Sequence, residues 1–551
     1  MKLATGLLDP LDGWGDGRRG RLLFVALVVI AALYDLGSRS LHVHDTARWG
    51  LLAREMVQGG EWLVPHRYGD LYVNKPPLYL WLVAAPSALF GEVTPFWVRL
   101  PSAIGLVMLV LGTAAWARMR LGSAKAARFA GLLALATPSV LWLGREGRLD
   151  MFGSGLAVLG AWQVDVAASG RGSRRTPWLA GLLVGCALLV KGPPLLLAPL
   201  LVACLPFPGQ PARERWRASR PWIVLPVGVG LALAWFVPAV LQAGWSAYGR
   251  PLLVGQAVDR LAGESTHTHG PLYYLGAIAA EMGPFGVAYL TLGALALTAR
   301  GRRLLGAGAG PARLFLIGVL LFTLVPTKQV RYLAPLVPFG AMGLATALLA
   351  WRGERGPIGW RGLAWVGTLA LLLLAPTLMT LGVLARYGHA LPVLLPSAAL
   401  LLFAVASLVA LLRRTLPADI LARAGLTVGL TLFLVAGLAL RSRWFTTDKE
   451  RLVEAIKAAR TPGDRVVAVQ GTTPETLFAA ATHATYVPDP ADVAWSAHTG
   501  PWIVLAREGG VAAVEAAAGR QATVVATRAE ASEVALRLPP LSSDDGGPPG
   551  D

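Results

Sequence analysis

The feature that most constrains this chain is a repeated one. About thirteen stretches approach the roughly 20 apolar residues that a helix needs to cross a hydrocarbon core about 30 Å thick. They lie near residues 21–38, 95–115, 128–143, 150–168, 177–190, 193–207, 221–241, 275–298, 313–326, 332–350, 363–385, 391–412 and 422–440. In lipid every backbone N–H and C=O must be satisfied within its own segment, so runs of this length are expected as spanning helices. The fifth, sixth and ninth runs are short and are expected as half-helices or tilted pieces, which leaves the count a margin of about two. Composition agrees: the 551 residues are 55% hydrophobic and 15% charged, against about 25% charged in soluble domains. Disorder and an ordinary soluble enzyme are thereby excluded. The first run is not expected to be a cleaved signal peptide, because Leu33-Tyr34-Asp35-Leu36 lacks small residues at the cleavage spacing. Cys186 and Cys204 both lie in apolar runs, which argues against a disulfide framework.

The net charge is +18. In a soluble protein this would point to nucleic acid; here it is expected as Lys and Arg in cytoplasmic loops. Arg18, Arg19 and Arg21 precede the first span, and Arg118, Arg120, Lys125 and Arg128 lie between the second and third. Arg171, Arg174 and Arg175 follow the fourth, and Arg213, Arg215, Arg217 and Arg220 the sixth. Further clusters follow the eighth, tenth and twelfth, at Arg300, Arg302 and Arg303, at Arg352, Arg355 and Arg361, and at Arg413 and Arg414. With the N-terminus inside, every cluster falls on one side, and thirteen spans place the C-terminus outside.

The expected fold is therefore mainly α, a polytopic membrane protein with a small extracytoplasmic C-terminal domain. Residues 1–440 form the transmembrane part, with residues 39–94 as its first external loop and 242–274 as another. Residues 441–538 read as helix 447–460, strand 465–470, helix 474–481, strand 501–506, helix 508–518 and strand 521–527, an alternation that implies an α/β domain. The segment 539–551 is rich in Pro, Gly, Ser and Asp and is expected to be disordered.

Ionisable residues concentrate in the external turns. The first loop carries His42, His44, Asp45, Arg48, Arg54 and Glu55, then Trp62, Tyr72, Asn74 and Lys75. Asp45 opens a helical stretch, Trp49 to Val57, and serves either as a cap of that helix or as a functional carboxylate. Asp150 lies at the outer end of the fourth span and needs a partner there; Arg145 or Arg148 could supply it. Lys191, in Lys191-Gly192-Pro193-Pro194, either snorkels to the interface or binds something. Lys328, Arg331 and Tyr332 form another cationic turn, and residues 242–274 add Gln256, Asp259, Arg260, Glu264, His267 and His269. Cations on the outward side run against positive-inside statistics. A lipid phosphate or pyrophosphate is the natural anion for them, since Arg binds phosphate bidentately and Lys as a point charge. Asp45 and Asp150, expected on the same side, suggest acid–base or cation-stabilising work beside it.

The motif His44-Asp45-Thr46-Ala47-Arg48-Trp49-Gly50-Leu51-Leu52-Ala53-Arg54-Glu55-Met56 resembles the first-loop signature of the aminoarabinose transferase and protein mannosyltransferase superfamily. These are integral-membrane glycosyltransferases of the GT-C fold. Gly60-Glu61-Trp62-Leu63-Val64-Pro65, Asn74-Lys75-Pro76-Pro77-Leu78, Arg148-Leu149-Asp150-Met151, Lys191-Gly192-Pro193, His269-Gly270-Pro271 with Tyr273 and Tyr274, and Lys328 to Pro335 resemble later segments in the same order, over about residues 20–350. The resemblance implies transfer of a sugar from a polyprenyl-phosphate carrier, with inversion, to lipid A, another glycolipid or a protein hydroxyl at the outer face of a bacterial plasma membrane. It implies Asp45 and Asp150 as catalytic carboxylates. It implies Arg48, Lys75, Lys191, Lys328, Arg331 and Tyr332 around the carrier phosphate, and His267, His269, Asn74 and Tyr72 toward substrate or acceptor. Thr46 stands where the family has a second acid, and Asn74 where it has Glu. These departures weaken the case for a bound metal and for aminoarabinose as the sugar. No cofactor is required by the sequence, and a divalent cation is left open. Nucleic acid is not an expected partner.

Two rival readings are a transporter or lipid flippase and a catalytically inactive relative. The first would show internal pseudo-symmetry and broken helices at mid-membrane, and no such symmetry is visible in the sequence. The second is opposed by the retained Asp45, Arg48, Lys75 and Asp150.

Overall fold

The structure is a computed structural model. It describes residues 18–34, 36–37, 41, 44–205, 210–255, 267–350, 448–461, 464–469, 472, 478, 485–487, 489–498, 500–528 and 532–540. The expected spans 363–385, 391–412 and 422–440, the loop residues Gln256, Asp259, Arg260 and Glu264, His42, nearly all of the helix expected over 474–481, and the tail from 541 lie outside the described residues.

The fold is mainly helical. Among the described residues four helices are long and apolar enough to cross a membrane: Pro95–Leu121, Leu149–Ala168, Pro221–Ala243 and Ala299–Thr323. The expected third run is two helices, Ala124–Ala136 and Pro138–Arg145, bent by 68°, and counting them as one span makes five. Pro138 causes the bend: it has no N–H to donate and its ring crowds the preceding turn. The expected sixth run is likewise broken, into a 3-10 turn Pro193–Leu196 and the helix Leu197–Cys204. The eighth divides into Tyr273–Glu281 and Gly283–Leu295, and the tenth begins as a 3-10 turn, Val330–Leu336, before Val337–Ala350. One apolar helix was placed wrongly by the sequence reading: Leu78–Phe90 lies in the stretch 39–94 expected as a loop.

The chain divides into two units; one cut falls at Ser442/Arg443, close to the expected boundary at residue 440, but two segments of the stretch 39–94 join the C-terminal part. The first comprises Met1–Leu36, Val73–Tyr79 and Arg99–Ser442; the second comprises Gly37–Tyr72, Leu80–Val98 and Arg443–Asp551.

In the first unit the core is built from apolar faces of helices, with Val28, Leu106, Leu133, Val158, Phe315 and Phe339 fully buried. Helices in an apolar solvent gain little from hydrophobicity and associate through close backbone approach at small residues. Gly105 shows this: a Cβ there would lie 2.4 Å from the Phe152 Cα, and one at Gly155 2.6 Å from the Gly105 carbonyl oxygen. The helix Leu149–Ala168 is thereby pressed against Pro95–Leu121. By contrast only 22% of the Pro221–Ala243 span is buried; Trp222, Val229, Leu233, Val237 and Leu241 face outward, as lipid-facing side chains do.

The second unit holds the helix His44–Gly59, a two-stranded hairpin (β1, His66–Arg67; β2, Asp70–Leu71) and a five-stranded sheet. The hairpin turn, Tyr68-Gly69, has φ of 58° and 84°, the pair of positive values that a two-residue hairpin of the favoured twist requires. The sheet is made of β3 (Arg465–Ala468), β4 (Thr485–Tyr486), β5 (Trp502–Arg507), β6 (Thr523–Arg528) and β7 (Glu533–Leu538), in the order β4-β3-β5-β7-β6. β3 runs parallel to β4 and β5, while β7 runs antiparallel to β5 and β6. Central β5 is buried from Trp502 to Ala506, which is why it reads as an unbroken apolar run. The helices Asp448–Ala459 and Val511–Ala518 accompany the sheet. Sequence reading missed β4, which is two residues long, and β7.

Candidate active site

In the first unit the expected residues Asp150, Lys191, Arg331 and Tyr332 come together. Asp150 stands in the first turn of Leu149–Ala168, and its side chain is 7% exposed. Its partner is the equally buried Lys191, the last residue of the helix Thr176–Lys191, whose ammonium donates to the Asp150 carboxylate. Gly192 makes this possible: its φ of 85° and ψ of −158° end the helix where a residue with a Cβ could not. Arg331 Nε lies 3.9 Å from Asp150 Oδ1, and the Lys191 Nζ stands 4.3 Å from the centre of the Tyr332 ring. One carboxylate thus sits between two cations, with an aromatic face beneath one of them. Such a cluster has local positive charge to spare for an anion.

Of the two arginines offered by the sequence as simple partners, Arg148 adds its charge to the field at Asp150, but both guanidiniums also have other contacts. Arg145 donates to the carbonyls of Ala31 (2.8 Å) and Tyr34 (2.5 Å), capping the first helix. The Arg148 guanidinium lies 5.2 Å from the Trp142 ring centre, and its carbonyl accepts from Ser102 Oγ at 2.7 Å. Ser102 in turn meets the Tyr79 hydroxyl at 2.9 Å. This chain of bonds holds the start of the Asp150 helix.

Lys328 is tied to backbone carbonyls. Its ammonium donates to the carbonyls of His269 (2.9 Å) and Pro326 (3.5 Å), and its N–H donates to the His267 carbonyl. With the Thr268–Thr327 bridge it pins the 267–269 segment to the 326–328 turn. His267 and His269 are exposed there, and the His269 ring stacks on Tyr273 at 4.2 Å. Lys75 also lies in this unit; its ammonium donates to the Asn74 carbonyl at 3.1 Å and to the Asn74 side-chain oxygen.

In the second unit Asp45 is in the first turn of His44–Gly59 and pairs with Arg48 one turn on, the i,i+3 spacing that puts both on one face. The Arg48 guanidinium also approaches the Trp49 ring (5.5 Å). Tyr72 packs edge-on against Trp49 at 6.2 Å, and burial pushes its hydroxyl up to about 12. The Asp45 carboxylate is thus engaged by a guanidinium on its own helix.

Farther along that helix, Arg54 and Glu55 have roles the sequence did not disclose. Arg54 donates to the Phe478 carbonyl at 3.0 Å and lies 4.5 Å from the Phe478 ring centre; burial lowers its pKa to about 10. The Glu55 carboxylate accepts from the turn N–H groups of Tyr68 (2.8 Å) and Gly69 (3.4 Å), and burial raises its pKa. Tyr68 stacks on Tyr486 at 4.1 Å. Arg54, Glu55 and Tyr68 thus fasten the Asp45 helix to residues of the C-terminal sheet region within one unit.

Sequence reading also missed Asp165, counting the arginines around it only as loop charge. Fully buried in the last turns of Leu149–Ala168, it accepts from Trp116 Nε1 (2.7 Å), from Arg120, and from Arg215 Nη2 (2.7 Å). Asp150 and Asp165 lie 15 residues apart, about 22 Å along the helix axis, so each end of this apolar helix carries its own charged cluster. The only available signal was an Asp at the end of an apolar run. Among the described residues no three His, Cys, Asp or Glu side chains come together as metal ligands would.

Residues 74–241 match the family model described as dolichyl-phosphate-mannose-protein mannosyltransferase. The undecaprenyl phosphate-alpha-4-amino-4-deoxy-L-arabinose arabinosyl transferase of Pseudomonas paraeruginosa is 28% identical over 246 residues, 44% of each chain. Its counterpart in Edwardsiella ictaluri is 28% identical over 343 residues, 61% of each. The chain spans about half the length of the relatives it matches. The fold is similar to that of ArnT from Cupriavidus metallidurans, solved bound to undecaprenyl phosphate, with a TM-score of 0.69 and 19% identity over 96% of this chain and 99% of that one. The apo form of the same protein gives 0.70. Over part of its length the chain is thus similar in sequence to the protein mannosyltransferases and the aminoarabinose transferases, and its fold is that of ArnT.

Proposed function

We propose that this chain is an integral-membrane glycosyltransferase that moves a sugar from a polyprenyl-phosphate carrier to a lipid A, glycolipid or protein acceptor at the outer face of a bacterial plasma membrane. The observation that carries the reading is the Asp150–Lys191–Arg331–Tyr332 cluster at the end of an apolar helix. It offers cations for a lipid-borne phosphate at the depth where such a headgroup would lie. The names of the relatives, and the undecaprenyl phosphate in the ArnT structure, support the same carrier class.

In the transfer the bond between the anomeric carbon and the phosphate oxygen breaks, and its electron pair stays with the phosphate. Phosphate is a good leaving group, so cations serve it better than a general acid. Lys191 and Arg331 are assigned to it together with Tyr332, and Arg48 and Lys75 are retained as carrier ligands. Lys328 is assigned there as well, its ammonium keeping a third N–H beyond those that meet backbone carbonyls. The sugar carbon gains positive charge, which a carboxylate stabilises. Asp45 is assigned that role, or that of base toward an acceptor hydroxyl, whose oxygen forms the new bond from the opposite face with inversion. Asp150 orients Lys191 and contributes the second carboxylate. Tyr72, Asn74, His267 and His269 are assigned to sugar or acceptor. The reading further takes about thirteen spans, an inward N-terminus and an outward 441–538 domain.

The test uses purified full-length protein in detergent. Undecaprenyl phosphate should raise its thermal stability, and Lys191→Met and Lys75→Ala should each reduce the shift. Asp45→Asn should keep the shift and lose transfer of a labelled sugar. A wild type that is folded yet gains no stability from the lipid phosphate would overturn the carrier assignment. Normal transfer by Asp45→Asn would overturn the catalytic one.

A further inference from the structure

Residues 270–298 contain a single charged side chain, Glu281. A carboxylate in so apolar a run is costly, and where one is kept it marks a functional site. The roles assigned in the transfer leave this one unused.

Glu281 is the last residue of the helix Tyr273–Glu281, and it is exposed. The helix stops there because Gly283, two residues on, has a φ of 59° and is followed by Pro284. A carboxylate in the last turn of a helix opposes the helix dipole, so the helix itself gains nothing from Glu281. Among the described residues no hydrogen bond or ion pair holds its carboxylate.

The first unit brings this carboxylate to the Arg331 turn. The Tyr274 hydroxyl donates to the Gln329 carbonyl at 3.3 Å, and the His269 N–H to the Pro326 carbonyl at 3.2 Å. Together with the Lys328 bond to the His269 carbonyl, these lay the helix against the turn that carries Arg331 and Tyr332. Tyr274 and Ile278 are buried and set the core face. Tyr273, Ala277 and Glu281 recur every four residues on the adjoining face. Arg331 is the cation whose field reaches Glu281, and the Tyr273 hydroxyl lies in the fields of Glu281, Arg331 and Tyr332 alike. Arg331 thus serves two carboxylates, Asp150 at 3.9 Å and Glu281 farther off.

The chemistry follows from that company. An ionised carboxylate only accepts hydrogen bonds, and its two oxygens have room for several. Arg331 already balances its charge, so a ligand need bring no cation; what the carboxylate lacks is donors. Two neighbouring sugar hydroxyls supply them. A sugar carried by a phosphate at Lys191 and Arg331 places its far hydroxyls one ring's width from that phosphate, on the scale that separates Glu281 from Arg331. A uronate would meet Glu281 with like charge, which is repulsive.

We propose that Glu281 determines which sugar is taken: its carboxylate accepts hydrogen bonds from two adjacent hydroxyls of a neutral sugar on the carrier, beside the Tyr273 ring. This rests on the reading of Lys191 and Arg331 as the carrier-phosphate site.

The experiment is ligand titration of the purified full chain in detergent, read by thermal shift. The probes are undecaprenyl phosphate alone and undecaprenyl phosphate bearing mannose, glucose, glucuronate or 4-amino-4-deoxy-L-arabinose. In the wild type a neutral hexose should bind more tightly than the bare lipid phosphate. Glu281→Ala should erase that gain, a loss of about tenfold or more for hydrogen bonds to a charged group, without weakening the bare lipid phosphate. Glu281→Gln, whose amide oxygen still accepts, should keep part of the gain. Unfolding without lipid checks that both variants are folded. A sugar gain that survives Glu281→Ala would overturn the proposal. So would a gain confined to the amino sugar or the glucuronate, no gain from any of the sugars, or weaker binding of the bare lipid phosphate in Glu281→Ala. A folded wild type that ignores undecaprenyl phosphate itself would instead overturn the carrier reading beneath it.

Discussion

Replacing Asp150 by Asn separates a structural ion pair from a phosphate site. Asp150 and Lys191 are each 7% exposed, and Arg331 Nε stands 3.9 Å from the same carboxylate oxygen. Breaking a buried pair by removing one partner costs about 3–5 kcal/mol, because the other charge is left uncompensated. Asn keeps the volume and an acceptor, which favours the lower figure, about 3 kcal/mol or roughly a hundredfold in the folding equilibrium. Lys191→Met should cost less, since Asp150 retains Arg331 within 3.9 Å. The double variant should cost less than the sum of the singles, as coupled neighbours do. The assay is the folded fraction of the purified protein as SDS is raised in mixed micelles, with and without undecaprenyl phosphate. A headgroup phosphate seated at Lys191 and Arg331 would replace the lost carboxylate charge, so the lipid should stabilise Asp150→Asn more than the wild type. Two results would refute the reasoning: a single variant as stable as the wild type, or a lipid-induced shift of the same size in both.

Other perturbations test the frame around the site. Asp165→Asn leaves Arg120 and Arg215 facing one another without their carboxylate and should cost about 3–5 kcal/mol, read by the same SDS titration. Gly105→Ala brings a Cβ to 2.4 Å from the Phe152 Cα; because the obstacle is backbone, it should cost about 1–3 kcal/mol, and Gly105→Leu should fail to fold in a size-exclusion assay. Arg54→Met removes a charged hydrogen bond to the Phe478 carbonyl and should lower stability by about 1.5–3 kcal/mol, seen as increased proteolysis between residues 44 and 59. Glu55 has its folded pKa raised by burial, so its contribution to stability is complete below the ordinary carboxyl value of about 4.3 and is lost as pH rises through the raised value. The unfolding midpoint should therefore carry a downward slope with pH in that window, and Glu55→Gln should remove it; an unchanged slope would contradict the assignment.

Much of the site was legible in the sequence as residue types and very little as partnerships. Asp150 and Lys191 each stood out, because a charge at the edge of an apolar run must be answered by something. Their pairing did not, since 41 residues separate them and Arg145 and Arg148 were nearer in sequence. Lys328 looked like a phosphate ligand for the same reason that Lys191 did, and only the fold directs its ammonium onto two carbonyls. Arg54 and Glu55 belonged to a recognisable motif without a readable role, because their partners lie in a hairpin and a distant segment. Leu78–Phe90 was misread as loop, being too short to signal a span. β4 escaped because two residues carry no periodicity.

What the sequence determined by itself is whatever depends on composition along the chain. The apolar runs dictate helices, because an isolated segment in lipid has only its own backbone to bond with. Prolines and glycines mark where those helices break, as at Pro138 and Gly192. Tertiary structure alone decided which charges meet. A buried ion pair is a statement about distance and exclusion of water, and neither is encoded locally. It also decided that residues 37–72 share a unit with the C-terminal sheet region. Linear order suggested a loop and a separate domain there; the Arg54–Phe478 and Tyr68–Tyr486 contacts join them, because side-chain packing follows proximity in space and not position in the chain.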